Sequence, residues 1–333
     1  MAKPMKMRAE TYRNKLSEDA FWKQQQAPTD SKLFDRVKVM LGKGADVHAT
    51  GGDRDMTALH FAVANGAEHD VVQMLLEYGG DVHAKDVHGF SALHTAATSQ
   101  ASPKVVGLLL ERGADVHAVG RNGMTALHLS CANQADPDMV ALLLQSGADV
   151  HALAVEGYHK FTALHYAAQN QADSKVVALL LEKGADVHAM DRDRRTALHY
   201  AAQHKAGAEV VALLLERAVD VHAVDDDKKM TALYYAAGNA AGLDSEVAGL
   251  LLAAGAINMN SNGDPILSPE QEAEARRAVP FICSSASPAS ASSASSSSSS
   301  SSTPSFAVNY MRFNENYLRL INHDDDTRID AYI

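Results

Sequence analysis

The chain has 333 residues with 30 Lys and Arg against 41 Asp and Glu, a formal net charge of −11, and 46% apolar residues, enough to bury a core. The acidity is concentrated in residues 31–282, which hold 21 basic and 32 acidic side chains, and this repels phosphate backbones and counts against a nucleic-acid partner. No run of eighteen apolar residues occurs, the first thirty residues lack the apolar segment of a secretory signal, and Cys131 and Cys283 make no disulfide framework, so the chain is expected in a reducing cytoplasm with no membrane partner.

In chain order, residues 1–30 place Tyr12, Leu16 and Ala20 at helical spacing beside Phe21 and Trp22, which predicts an N-terminal capping helix whose aromatic edge covers the first, incomplete repeat. That repeat, residues 31–56, contains LFDRVKVMLGKGADVHA, the second half of a unit that then recurs in full. Copies start at Thr57, Ser91, Thr125, Thr162, Thr196 and Thr231, giving repeats 57–90, 91–124, 125–161, 162–195, 196–230 and 231–263. Each opens with Thr or Ser as an N-cap, followed by Ala-Leu-His or Ala-Leu-Tyr. Second helices open at Ser102-Pro103, Asp136-Pro137 and Asp173-Ser174 and bury leucine runs such as 108–110 and 142–144. Gly113, Gly147 and Gly184 end them, where a left-handed residue is tolerated best without a Cβ. Ala218 stands where the neighbouring repeats have that glycine, which predicts a strained fifth repeat.

In the first five full copies length varies only between the VHA histidine and the next repeat, so extra residues belong to protruding turns; the longest, 153–161, adds Tyr158 and His159. The sixth copy departs from the pattern, with Tyr234 for the first histidine, Asn258 for the second and a longer helix–helix turn. Ser268 with Gln271 reads as a capping box opening a C-terminal cap at 264–282. Residues 283–305 are a flexible Ser-rich linker, and 306–333 a short tail with Tyr310, Phe313, Tyr317 and Leu320 at helical spacing.

The repeated TALHYAA and VVALLLEKGADVHA resemble the ankyrin repeat, T-P-L-H-x-A with VVxLLLxxGADVNA, over residues 31–282, except that every copy here has Ala where the family prefers Pro. The resemblance implies an all-α ankyrin-repeat solenoid of stacked helix–turn–helix units with protruding β-hairpin-like fingers. It further implies a non-catalytic adaptor or scaffold that binds another protein through its finger tips and concave helical face, with no cofactor, as a monomer. Alternatives are a stoichiometric regulator of an enzyme, or an ankyrin effector delivered by an intracellular bacterium into host cytosol, to which the Ser-rich linker and acidic tail are similar.

Candidate partner-binding residues precede each repeat start: Met56, Phe90, Met124, Phe161, Arg195 and Met230, joined by Tyr158. Met and aromatic side chains are enriched in interface cores, though the same column also suits packing inside the fingers. Around it lie Arg54, Lys85, Asp86, Arg121, 191–194 and 225–229, read as solvated charge with a possible part in specificity. His60, His94, His128, His165 and His199 match the family's hydrogen-bonding framework histidine. His48, His83, His117, His151, His188 and His222 stand where the family has Asn and are candidates for pH sensitivity or hydroxylation. Stacking keeps equivalent histidines about 8–10 Å apart, too far for one zinc ion. Cys131 is expected as an inert core thiol, and no catalytic constellation, phosphate loop or metal site is expected.

Overall fold

The computed structural model describes residues 15–18, 21, 31–156, 159–238 and 243–278. These fall into two compact units, one up to residue 157 and one from residue 158 on. The linker at 283–305, the tail at 306–333, Tyr158 and residues 239–242 of the sixth repeat's turn lie outside the described residues.

In the first unit, helix α1 (Ser31–Gly42) is the second helix of the partial repeat. Strands β1 (Thr50–Gly51) and β2 (Met56–Thr57) pair antiparallel to form the first finger. Full repeats follow as α2 (Ala58–Ala64) with α3 (His69–Glu77), α4 (Ala92–Ser99) with α5 (Pro103–Glu111), and α6 (Ala126–Ala132) with α7 (Pro137–Gln145), before β3 (Ala154–Glu156). First helices pack in series, α2 on α4 on α6, and second helices likewise, α1 on α3 on α5 on α7. The second unit runs from β4 (His159–Phe161) through α8 (Ala163–Gln169), α9 (Ser174–Glu182), α10 (Ala197–His204), α11 (Ala208–Glu216), α12 (Ala232–Ala237) and α13 (Ser245–Ala253) to α14 (Pro269–Ala278), with the same two series.

The two kinds of helix fold for different reasons. First helices are short and Ala-rich and bury nearly every residue, Ala58 through Ala64 in α2, because small side chains let three helices approach closely. Helices so short are marginal alone and depend on packing and on their caps. Second helices are amphipathic: α5 buries Val105, Val106, Leu108 and Leu109 and turns Lys104 and Glu111 outward. Their caps match the expected residues, Asp136 accepting from the Asp138 N–H and Asp173 from the Lys175 N–H, both at 2.8 Å.

Lys15–Ser17 forms a 3-10 turn packed on α1 and α2, with Leu16 and Phe21 buried and the Arg36 guanidinium 5.2 Å over the Phe21 ring. The rest of the expected N-terminal helix lies outside the described residues. At the other end Ser268 and Gln271 cap reciprocally, the Ser268 N–H donating to Gln271 Oε1 at 2.9 Å and the Gln271 N–H to Ser268 Oγ at 3.2 Å. Asn258, which breaks the VHA pattern, is specialised rather than degraded. Its amide donates to the Leu267 carbonyl at 3.1 Å and to Glu272 at 2.9 Å, and accepts from the Leu267 N–H at 2.7 Å, tying the terminal helix to the last finger.

Gly113, Gly147 and Gly184 have φ of 86°, 91° and 87°, and Ala218 adopts φ 56° at the equivalent place. A Cβ there is strained, so Ala218→Gly is expected to stabilise by about 0.5 to 1 kcal/mol. Thermal melting checks this; an unchanged or lower midpoint removes the strain account.

Candidate functional site

The fingers are held by two sets of side chains that the stack itself requires. In each of repeats one to five the framework histidine bridges its own N-cap and the finger that follows. The Thr57 N–H donates to His60 Nδ1, the Thr57 hydroxyl lies 2.8 Å from the same nitrogen, and Nε2 reaches the Phe90 carbonyl at 3.0 Å. His94 repeats this with Ser91 and the Met124 carbonyl, His128 with Thr125 and the Ala152 carbonyl, His165 with Thr162 and the Arg195 carbonyl, and His199 with Thr196 and the Ala223 carbonyl. The tautomer is set by the partners. A backbone N–H only donates, so Nδ1 accepts; a carbonyl only accepts, so Nε2 carries the proton. Both nitrogens are therefore engaged by the protein.

The second set is carboxylate. Asp86, Asp191 and Asp225 are buried, not solvated as their place in charged runs suggests. Asp86 accepts from the His88 and Phe90 N–H groups and from Arg54; Asp191 from the Arg195 N–H and the Tyr200 hydroxyl; Asp225 from the Lys228 and Met230 N–H groups and the Tyr235 hydroxyl. Burial alone would raise the Asp225 carboxyl, but the bonds from Tyr235, Met230 and Lys228 and the Arg195 charge outweigh it and hold it below the usual range. Adjacent fingers are joined by backbone bonds, Val87 N–H to the Arg54 carbonyl and Arg121 N–H to the His88 carbonyl in the first unit, Asp226 N–H to the Asp193 carbonyl in the second.

The apolar column expected as an exposed stripe is packed inward. Met56, Phe90, Met124 and Phe161 are only 2–6% exposed. Phe90 stacks on His94 at 5.2 Å between centroids and lies against Gly120 of the next finger, where a Cβ would run into the ring. Phe161 meets Tyr166 and Tyr200 edge-on at 5.2 and 5.3 Å. Side chains so buried present no face to a partner, which corrects the expectation for these four. Arg195 and Met230 are part-exposed. Arg195 stands 3.9 Å from Asp225 and 5.8 Å from the Tyr235 ring.

A different register faces out. Two residues after the VHA histidine stand Val119 and Leu153 in the first unit and Met190 in the second, 45–53% exposed, and Met259, one residue after Asn258, is 57% exposed. Val87 and Val155, four residues after their histidines, are also exposed. Sequence alone does not single out this row, because it sits beside the VHA motif. A signal is nonetheless present: Val119, Leu153 and Met190 put an apolar side chain at the same finger position in three successive repeats. The VHA histidines themselves are exposed, their N–H groups held by the Asp two residues earlier, as in His117 to Asp115 at 2.9 Å.

The sixth repeat differs. Tyr234 cannot make the histidine bridge, and Thr231 Oγ1 is buried without a hydrogen-bond partner. Two cavities of about 480 and 490 Å³ flank this point and share Lys228, Met230 and Tyr234 as walls. Cys131 is buried, its thiol pushed up to about 12 by burial, which makes it inert as a nucleophile. Among the described residues no group of three His, Cys, Asp or Glu is placed to hold a metal ion, and no helix is long and apolar enough to cross a membrane.

A sequence model of the family described as ankyrin repeats, in three copies, matches residues 29–120, 102–191 and 164–263. Among crystal structures, the human ASB11 ankyrin repeat domain is similar with a TM-score of 0.57 and 24% identity, covering 67% of this chain and 98% of that one. The ankyrin repeat domain of Bcl-3, a member of the IkappaB protein family, has a TM-score of 0.52 and 28% identity, covering 67% of this chain and 100% of that one. No curated protein matches the sequence.

Proposed function

Because the chain belongs to the ankyrin-repeat family, whose repeats are protein–protein interaction modules, we propose that it is a non-catalytic adaptor that holds a partner protein against its finger tips. The observation that carries this is the outward row at one finger register, Val119 and Leu153 in one unit and Met190 in the other, with Met259 also exposed on the last finger. Exposed apolar side chains scattered singly need no explanation, whereas recurrence at a fixed register on fingers braced by buried framework histidines gives a partner preset contacts within each unit. Preorganised contact of this kind loses little ordering entropy on binding.

Capture with the full chain, with Val119→Glu/Leu153→Glu and with Met190→Glu/Met259→Glu tests the proposal. A captured partner is expected to bind at least one double variant about tenfold or more weakly, while circular dichroism and melting stay near those of the parent, since all four sites are exposed. Undiminished binding to both variants assigns recognition elsewhere on the chain. If the partner is an enzyme whose turnover falls at stoichiometric chain, the role is regulator rather than tether.

A further inference from the structure

The exposed apolar residues of the two units differ in chemistry. Val119 and Leu153 in the first unit are saturated hydrocarbon, whereas the second unit exposes two thioethers, Met190 at 45% and Met259 at 57%, with Ile257 close to the latter in sequence. A thioether is the one apolar side chain here that a mild oxidant converts into a polar one, and susceptibility follows exposure.

The other described methionines are placed differently. Met56, Met74, Met124 and Met139 are buried, at 0–6% exposed, and the Met139 sulfur lies 3.6 Å from the Ser130 hydroxyl inside the stack. Met40 and Met230 are part-exposed. A sulfoxide in the core would bury a new polar group, but at Met190 and Met259 it stands in water and the helices keep their packing.

Met259 has a second setting. With Val224, Met230, Tyr234 and Ile266 it walls the cavity of about 490 Å³ beside the last finger, and each of these five side chains keeps accessible surface. Lys228, Lys229 and Asn262 share the same walls and are hydrogen-bond donors, so a sulfoxide oxygen there has groups to accept from. Oxidation therefore removes apolar surface from the cavity and has polar neighbours to settle against.

We propose that Met190 and Met259 are reversible oxidation sites for a peroxide, and that their conversion withdraws the apolar contacts of the second unit while leaving those of the first intact. At each sulfur an S–O bond forms as the peroxide O–O bond breaks. The sulfur loses two electrons, and the leaving hydroxide takes the proton of the transferred oxygen and departs as water. The loss of partner contact rests on the adaptor reading; the oxidation and the loss of apolar surface do not.

Graded hydrogen peroxide on the full chain tests this, with sulfoxide at each methionine read by peptide-mapping mass spectrometry. Met190 and Met259 are expected to convert about tenfold or more faster than Met56, Met74, Met124 and Met139, and methionine sulfoxide reductases A and B together to restore them. The melting temperature should hold while only these two are converted. An anilinonaphthalene sulfonate dye reads the apolar surface, its rings suiting the cavity walls and its charge Lys228 and Lys229. Its fluorescence is expected to fall about threefold or more on conversion, and to hold under the same dose in Met190→Leu/Met259→Leu, which keeps the apolar area without the sulfur.

Equal conversion rates at exposed and buried methionines overturn the site assignment, and so does a melting temperature that falls in step with Met190 and Met259. Dye that fails to bind, that binds equally before and after, or that is lost as fully from the leucine variant overturns the withdrawal of apolar surface. None of these results bears on whether the finger row holds a partner, which the glutamate variants above decide separately.

Discussion

Acidification from about pH 7.5 to 5.5 is expected to lower the melting temperature, with the loss beginning as the pH passes below 6.5. His94 shows why. Burial, the largest influence, pulls its imidazole from 6.5 down to about 4, against the Met124 and Ala118 carbonyls and Asp86, which raise it, and with Lys85, which lowers it. The unfolded chain therefore binds a proton at a pH where the folded chain does not, and stability rises with pH through this window. The contribution is complete above 6.5 and is lost progressively as pH falls from 6.5 toward 4. One unit below 6.5 it costs about 1.4 kcal/mol for His94.

His60, His165 and His199 are shifted down by burial as well, so they add in the same direction. The geometry gives the cause in atomic terms: a second proton on Nδ1 would face the N-cap N–H, donor against donor. Asp225, held low, opposes nothing in this range. Calorimetry in buffers of matched ionic strength checks the expectation, and a midpoint flat between pH 7.5 and 5.5 would show that the framework histidines do not couple to folding. The groups expected to carry this pH dependence are thus the buried framework histidines.

Gly120→Ala is the second substitution expected to have a large effect. The added Cβ runs into Phe90 Cδ1 and Cε1, and the ring is itself buried and stacked on His94, so it has nowhere to retreat. Overpacking of this kind costs about 1 to 3 kcal/mol. Phe90→Leu provides the discriminating background: it shortens the side chain, and there Gly120→Ala should cost much less. A double-mutant cycle reads this directly. Equal costs in the two backgrounds would refute the ring-on-glycine contact as the reason for glycine at this place.

That contact also marks the limit of what was legible in the chain. The helix–turn–helix units were readable because their signals are local: Thr before Ala-Leu-His, Asp136 and Asp173 as caps, and glycine where φ is positive. Ala218 was readable as an anomaly for the same reason. The faces of the fingers were not. Periodicity reports that Met56, Phe90, Met124 and Phe161 recur, but Val119, Leu153 and Met190 recur with the same period, and which register packs inward depends on the next finger along the chain. Phe90 is buried because Gly120 makes room for it one repeat later; Arg195 is held because Asp225 faces it there. Buried Asp86, Asp191 and Asp225 looked like surface charge because their partners are backbone N–H groups, which leave no trace in composition. The cavities near Tyr234 needed the structure outright, since their walls come from residues far apart in the chain.

The histidine bridge also gives the chain a direction. Each imidazole reaches forward, to a carbonyl 24 or 30 residues downstream and never to one behind it. Loss of units from the beginning orphans none of these nitrogens, whereas loss from the end strands a buried N–H. The sixth repeat, the last among the described residues, is the one that carries Tyr234 in place of histidine and hands the clasp to Asn258. Such an array can lengthen by copying an interior unit, because each copy brings its own forward partner. It cannot lengthen by adding units after the last one without first rewriting the repeat that closes it.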